Sequence, residues 1–167
     1  MQTAPERDRT GTGSAMTGVQ GIELQFEATE LGVRKALIQL REALFALNLP
    51  EDDASRAEIV LAEALNNVAE HAYDRAVPGD VRVGLSLSPG LIGIVIRDTG
   101  RPVPAHLLQG GCMPALDCGL DDLPEGGFGW PLIRTLTESL VYRRTSGTNE
   151  LRMDLARQGG APRRRAP

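Results

Sequence analysis

Two amphipathic helical stretches stand back to back between residues 29 and 73 with no strand between them, and this order constrains the fold more than any other feature of the chain. In the first stretch Thr29 is a helix cap. Leu31, Val33, Leu37, Leu40, Leu44 and Leu47 then keep the spacing of one helical face to about residue 47. Pro50 followed by Glu51, Asp52 and Asp53 suits a second start, because negative charge is favourable at a helix N-terminus. That helix is expected to run to about Tyr73. Residues 22–27 alternate as an opening strand. After a turn at Pro78 and Gly79, residues 80–87 and 91–97 read as a hairpin joined by Ser88, Pro89 and Gly90. A short helix at 130–138 and strands at 139–144 and 148–155, turning through Ser146 and Gly147, complete the pattern. Strand, helix, helix and then paired strands are not repeating strand–helix–strand units. They predict an α+β fold, a two-layer α/β sandwich with a mixed, mostly antiparallel sheet and its helices on one face.

The bulk properties exclude several function classes. With 41% hydrophobic and 24% charged residues the chain reads as one globular domain, residues 19–156, between a polar leader (1–18) and a basic tail (157–167), both expected to be disordered. No apolar run is long enough for a membrane span or a signal peptide, so no membrane partner and a cytoplasmic location are expected. The net charge of −4 argues against nucleic acid as a partner. Lys35 is the only lysine, and no phosphate-binding G-x-x-x-x-G-K pattern occurs, so any phosphate chemistry must run without that lysine. Cys112 and Cys118 lack zinc-knuckle spacing and read as ordinary thiols.

Three segments carry chemistry. On a helix, Glu63, Asn67 and His71 lie on one stripe at i, i+4 and i+8, beside the apolar Val60, Ala64 and Val68. A carboxylate, an amide and an imidazole there cost free energy unless they find partners; a polar helix edge meeting solvent is the ordinary alternative. In Ile94-Val-Ile-Arg-Asp98-Thr-Gly100, a buried strand ends in an aspartate that could accept a hydrogen bond from an adenine amino group, with Gly100 letting backbone approach the base. A plain Asp-Thr-Gly turn would look the same. In Gly126-Gly127-Phe-Gly129-Trp-Pro131, a glycine-rich turn opens a helix, where backbone N–H groups and the helix dipole can hold an anion. A hinge is the alternative.

Taken in order, E-A-x-x-N-x-x-x-H-A-Y, D-x-G-x-P and G-G-x-G-x-x-L-I resemble the three nucleotide-binding boxes of the GHKL (Bergerat-fold) ATPases, and within them the anti-sigma-factor serine kinases. The resemblance spans roughly residues 20–156. It implies ATP and Mg2+ as cofactors, with Asn67 on the metal and Glu63 as the base that takes the proton of the attacking hydroxyl. It implies Asp98 on the adenine amino group with Gly100 beneath the base, and Gly126, Gly127 and Gly129 around the phosphates. Thr148 falls where related ATPases place a threonine near the base, and His71 is expected to pack behind the site.

The activity implied is a protein-serine kinase of a partner-switching system. Its substrate would be a STAS-domain antagonist protein, its other partner a sigma factor or another regulatory target, and the resemblance allows a homodimer. The first helix, with Arg34, Lys35 and Arg41, is a candidate for part of the partner surface, although a solvated amphipathic face explains such charges equally. One departure stands out: residues 102–125, expected to form a lid, hold no Arg or Lys but include Asp117, Asp121, Asp122 and Glu125. Arg101 could substitute; otherwise transfer is slow or the partner completes the site. A nucleotide-gated clamp that moves little phosphate is therefore the alternative function. A detached catalytic domain of a sensor histidine kinase fits less well, since the Glu63–Asn67 spacing followed by His-Ala-Tyr matches the serine-kinase branch.

Overall fold

The computed structural model describes residues 20–108 and 129–158. The leader, almost all of the basic tail, Cys112, Cys118, the acidic part of the expected lid, Gly126 and Gly127 lie outside these residues.

Five strands form one sheet in the order β1-β2-β3-β5-β4, with β1 Gln20–Glu27, β2 Asp80–Ser88, β3 Leu91–Asp98, β4 Ser139–Thr145 and β5 Thr148–Ala156. The expected two-layer α+β arrangement is present, and the sheet expected to be mostly antiparallel is antiparallel in all four ladders. Two tight turns set the register. Gly90 at φ +87° closes β2–β3. Ser146 and Gly147, at φ +50° and +84°, give β4–β5 the two-residue left-handed turn that matches strand twist. With that register Phe26, Val81, Asp98 and Asn149 stand side by side across β1, β2, β3 and β5. Side chains alternate across a strand, so all four share the face that also carries Val83, Leu85, Ile94, Ile96, Leu151 and Met153.

That face is covered by α1 (Glu30–Ala46), α2 (Glu51–Asn67) and α4 (Gly129–Leu136), whose buried Val33, Leu40, Leu44, Val60, Leu61, Leu65 and Ile133 join the strand residues in one core. Thr29 caps α1 by accepting a hydrogen bond from Gly32 N at 3.0 Å. Asn48, in the left-handed region at φ +52°, lies just beyond its end. A four-residue turn of helix, α3 (Ala105–Leu108), lies in the stretch expected to form a lid.

Two expectations change. Leu31, placed on the one apolar face of α1, is 59% exposed, in line with Ile38 and Phe45 at 54% and 58%; Ala36 takes an inward position instead. Residues seven apart return to the same side of a helix, and here that side faces out. The second helix was read as continuous to Tyr73. Its α-helical part ends at Asn67, and Val68–Ala72 form a π-helical turn. Such turns occur mostly as single insertions in α-helices and frequently at functional sites.

Candidate functional site

The π turn, the end of β3, the segment 101–107, α4 and the β4–β5 hairpin surround a cavity of about 330 Å3, within the size range of small-molecule sites. Its walls are mainly apolar, with Val68, Ile96, Val103, Leu107, Trp130 and Leu151 among the lining residues; its polar lining comes from Asn67, His71, Asp98, Arg101, Tyr142 and Asn149. Apolar walls with a few convergent polar groups suit an aromatic heterocycle.

Asp98 is 7% exposed, and burying a carboxylate is costly unless it is hydrogen-bonded. Oδ1 accepts from Gly100 N and from Asn149 Nδ2, both at 2.8 Å. Among the described residues Oδ2 accepts nothing, so the carboxylate reaches the cavity with one oxygen spare. Asn149, 2% exposed, is a hub. Its Nδ2 also reaches the carbonyls of Gly100 and Arg101 at 3.3 and 3.1 Å, and its Oδ1 accepts from Tyr142 OH at 2.7 Å and from Arg144. Tyr142 OH in turn accepts from Val103 N at 3.1 Å, and Arg144 Nη1 donates to Gly100 O at 2.8 Å.

The sequence reading assigned the position near the base to Thr148. The structure corrects this: Thr148 opens β5 opposite Thr145, and the adjacent Asn149 lines the cavity. Consecutive strand residues point to opposite faces, so only one of the two can stand beside Asp98.

Asn67 also lines the cavity, and its Nδ2 is buried without a hydrogen-bond partner among the described residues. Buried polar atoms are nearly always paired, so Asn67 is a candidate to meet a ligand in the cavity. Glu63, one turn earlier, does not line this cavity but meets the start of α4. A Cβ built on Gly129 would stand 2.7 Å from Glu63 Oε2 and 3.5 Å from Asn67 Nδ2, so a larger residue at 129 would displace that carboxylate. Of the three glycines expected around phosphate, Gly129 alone is among the described residues, and it sits against the Glu63–Asn67 pair.

Gly100 does not line the cavity. A Cβ there would approach Ala72 O to 2.5 Å, and the next residue ties the same carbonyl through Arg101 N at 2.7 Å. Glycine at 100 is required by the seating of this turn on the π turn rather than by an open path to a ligand. Gly100→Ala is expected to cost about 1–3 kcal/mol by overpacking against backbone that cannot swing away. The check is a melting curve, which should fall by about 2–4 °C for each kcal/mol lost.

His71, expected behind the site, is instead at the cavity wall with its side chain 65% exposed and 3.9 Å from Glu70; Ala72 occupies the inward position beside it. Arg101 also lines the cavity, but its guanidinium is paired with Asp74 at 3.1 Å on the surface. Two further contacts support the site. Tyr73 OH donates to Asp80 O at 3.2 Å and accepts from Thr99 N at 2.9 Å, fixing the exit of the π turn to β2 and to the turn after β3. Gly79 makes room for that ring, since a Cβ there would stand 2.1 Å from it. Arg134 Nη2 donates to Leu107 O at 2.8 Å, holding α3 to α4. The Tyr73–Gly79 pairing is not a local pattern, and Arg134 reads as a solvated helix charge.

A sequence profile of the histidine kinase-like ATPase domain matches residues 26–155. The chain is 34% identical over 97 residues to the serine/threonine-protein kinase BtrW of Bordetella bronchiseptica, covering 53% of this chain and 61% of that protein. It is 26% identical over 132 residues to the serine-protein kinase RsbW of Bacillus velezensis, covering 78% of this chain and 82% of that protein. The chain thus spans about three fifths of the first of these relatives. In fold it is similar to the crystal structure of the RsbU and RsbW domains of a Mycobacterium tuberculosis protein, with a TM-score of 0.58 and 18% identity over 83% of this chain and 33% of that one.

Proposed function

The chain belongs to the family of histidine kinase-like ATPase domains, and on that premise we propose that it binds ATP with Mg2+ and passes the terminal phosphoryl group to a serine of a STAS-domain antagonist protein. A further surface would hold a sigma factor or another regulatory target, in the cytoplasm. The observation that supports this most is the convergence, around one apolar cavity, of Asn67 and Asp98, each with a polar atom that has no partner among the described residues, and of a helix start that meets Glu63.

In this reading Asp98 Oδ2 accepts from the exocyclic amino group of adenine, and Val68, Ile96, Leu107 and Trp130 hold the ring. An amide can turn either its nitrogen or its oxygen to a ligand, and the oxygen of Asn67 suits Mg2+, a hard cation that takes neutral oxygen ligands. When bound, Mg2+ supplies charge neutralisation between the phosphates. Gly129, with Gly126 and Gly127, would offer backbone N–H groups to the phosphates. Glu63 takes the proton of the serine hydroxyl as its oxygen bonds to the terminal phosphorus, and the bond from that phosphorus to ADP breaks. The exposed Leu31, Ile38 and Phe45 of α1, flanked by Arg34, Lys35 and Arg41, support placing the target surface there. Among the described residues no helix is long and apolar enough to cross a membrane.

A nucleotide-gated clamp is the second reading, and the pairing of Arg101 with Asp74 favours it, because it engages the cation that could stand in for a basic lid residue. Incubation with labelled ATP and a cognate antagonist separates the two. Phosphoserine on the antagonist is the expected result. Bound nucleotide without phosphoserine favours the clamp, and absence of nucleotide binding removes both.

A further inference from the structure

We propose that Asn149 is a positioning residue that makes the cavity selective for a purine with an exocyclic amino group, acting through Asp98 without touching the base itself. This rests on the nucleotide reading of the cavity and extends it.

The Asn149 side chain is used up by the protein. Its Nδ2 serves Asp98 Oδ1 and the carbonyls of Gly100 and Arg101, and its Oδ1 takes Tyr142 OH and Arg144. An amide offers two donor hydrogens and one acceptor oxygen, so nothing is left for a ligand. What the arrangement does is fix Asp98. With Oδ1 held by two donors, from Gly100 N and Asn149, the carboxylate cannot rotate to exchange its oxygens without breaking both bonds. Oδ2 therefore stays free as an acceptor and ready for a donor on the ligand. A carboxylate oxygen held this way serves as an acceptor, so it rewards a ligand amino group and gives nothing to a ring position that carries hydrogen alone.

The same network spans three pieces of chain. Tyr142 and Arg144 come from β4, Asn149 from β5, and the recipients Gly100, Arg101 and Val103 from the turn after β3. The β4–β5 hairpin thus holds the cavity wall and the base-reading carboxylate in one unit. Nothing in this role requires position 149 to contact nucleotide.

The test is titration calorimetry with ATP and with purine riboside triphosphate, which lacks the amino group. The wild type is expected to prefer ATP by on the order of 10- to 100-fold, as for one hydrogen bond to a charged group. In Asn149→Leu the preference should collapse to within about threefold through weaker ATP binding, with the analogue bound almost as before. A purely structural role would weaken both ligands alike.

Asn149→Asp provides an independent arm that keeps the shape. Its carboxyl would face Asp98 at one end and Arg144 and Tyr142 at the other. Two ionised carboxylates in contact repel, while a protonated Asp at 149 restores the donor to Asp98. Preference for ATP in this variant should then be present at low pH and fall as pH rises, relative to the wild type measured at the same pH. If Asn149→Leu does not fold, as judged by circular dichroism, this variant decides. Selectivity unchanged in Asn149→Leu, or a pH-independent preference in Asn149→Asp, overturns the inference while leaving nucleotide binding intact. A wild type that binds neither triphosphate removes the nucleotide reading as well.

Discussion

Asn67→Ala is expected to weaken Mg-ATP binding by at least roughly 100-fold, the scale of losing a ligand to the metal that joins the phosphates. The basis is an energetic oddity rather than a sequence match alone: Asn67 Nδ2 is buried and has no partner among the described residues. An unsatisfied buried polar atom costs about 1–3 kcal/mol, so alanine at this place should leave the fold as stable as before or slightly more so. Loss of ligand binding together with an unchanged or raised melting temperature is the signature of a residue kept for its ligand. Calorimetry with Mg-ATP, beside a melting curve of the free protein, reads both.

Glu63→Gln is expected to behave in the opposite way, keeping Mg-ATP affinity within about threefold while lowering phosphoryl transfer by roughly 100- to 10,000-fold, the usual contribution of a general base. Glutamine preserves the shape that meets the start of α4, where Gly129 leaves just enough room for the side-chain oxygen. It cannot take a proton. Single-turnover transfer to the antagonist, measured with nucleotide saturating, separates chemistry from binding. A Glu63→Gln protein that transfers at the wild-type rate would remove the base assignment. One that fails to bind nucleotide would make Glu63 a binding residue.

Much of the fold was legible because hydrophobic period and turn chemistry agree with it. The alternation in residues 80–87 and 91–97 is the burial alternation of β2 and β3, and Ser146-Gly147 is the turn its composition suggests. Asp98 was legible as a strand-end carboxylate because the apolar run Ile94–Ile96 sets which side it must face. What escaped has a common cause: it depends on residues far apart in sequence. Asn149 falls inside the strand read at 148–155 with little local to mark it, and only the β3–β5 register sets it opposite Asp98. Its sole local signal is parity, since Asn149 stands at the head of the inward series Leu151, Met153, Leu155. The π turn was hidden because Val68, Ala69 and Ala72 continue a helical apolar pattern whatever the hydrogen-bond spacing. Leu31 keeps helical period with the buried residues of α1, yet nothing of the chain covers it among the described residues. Periodicity finds apolar positions but does not say whether the covering surface is the chain's own.

The three boxes were read as parts of one site from their order alone. Among the described residues, Asn67 and Asp98 line the same cavity, and Gly129 meets Asn67 and Glu63 beside it. The most direct measurement is a crystal structure of the chain with Mg2+ and a non-hydrolysable ATP analogue. The expected result is adenine against Asp98 Oδ2, the metal on the Asn67 side-chain oxygen, and phosphate oxygens at the start of α4. Nucleotide bound elsewhere, with Asn67 still unpaired and Asp98 facing an empty cavity, would contradict it.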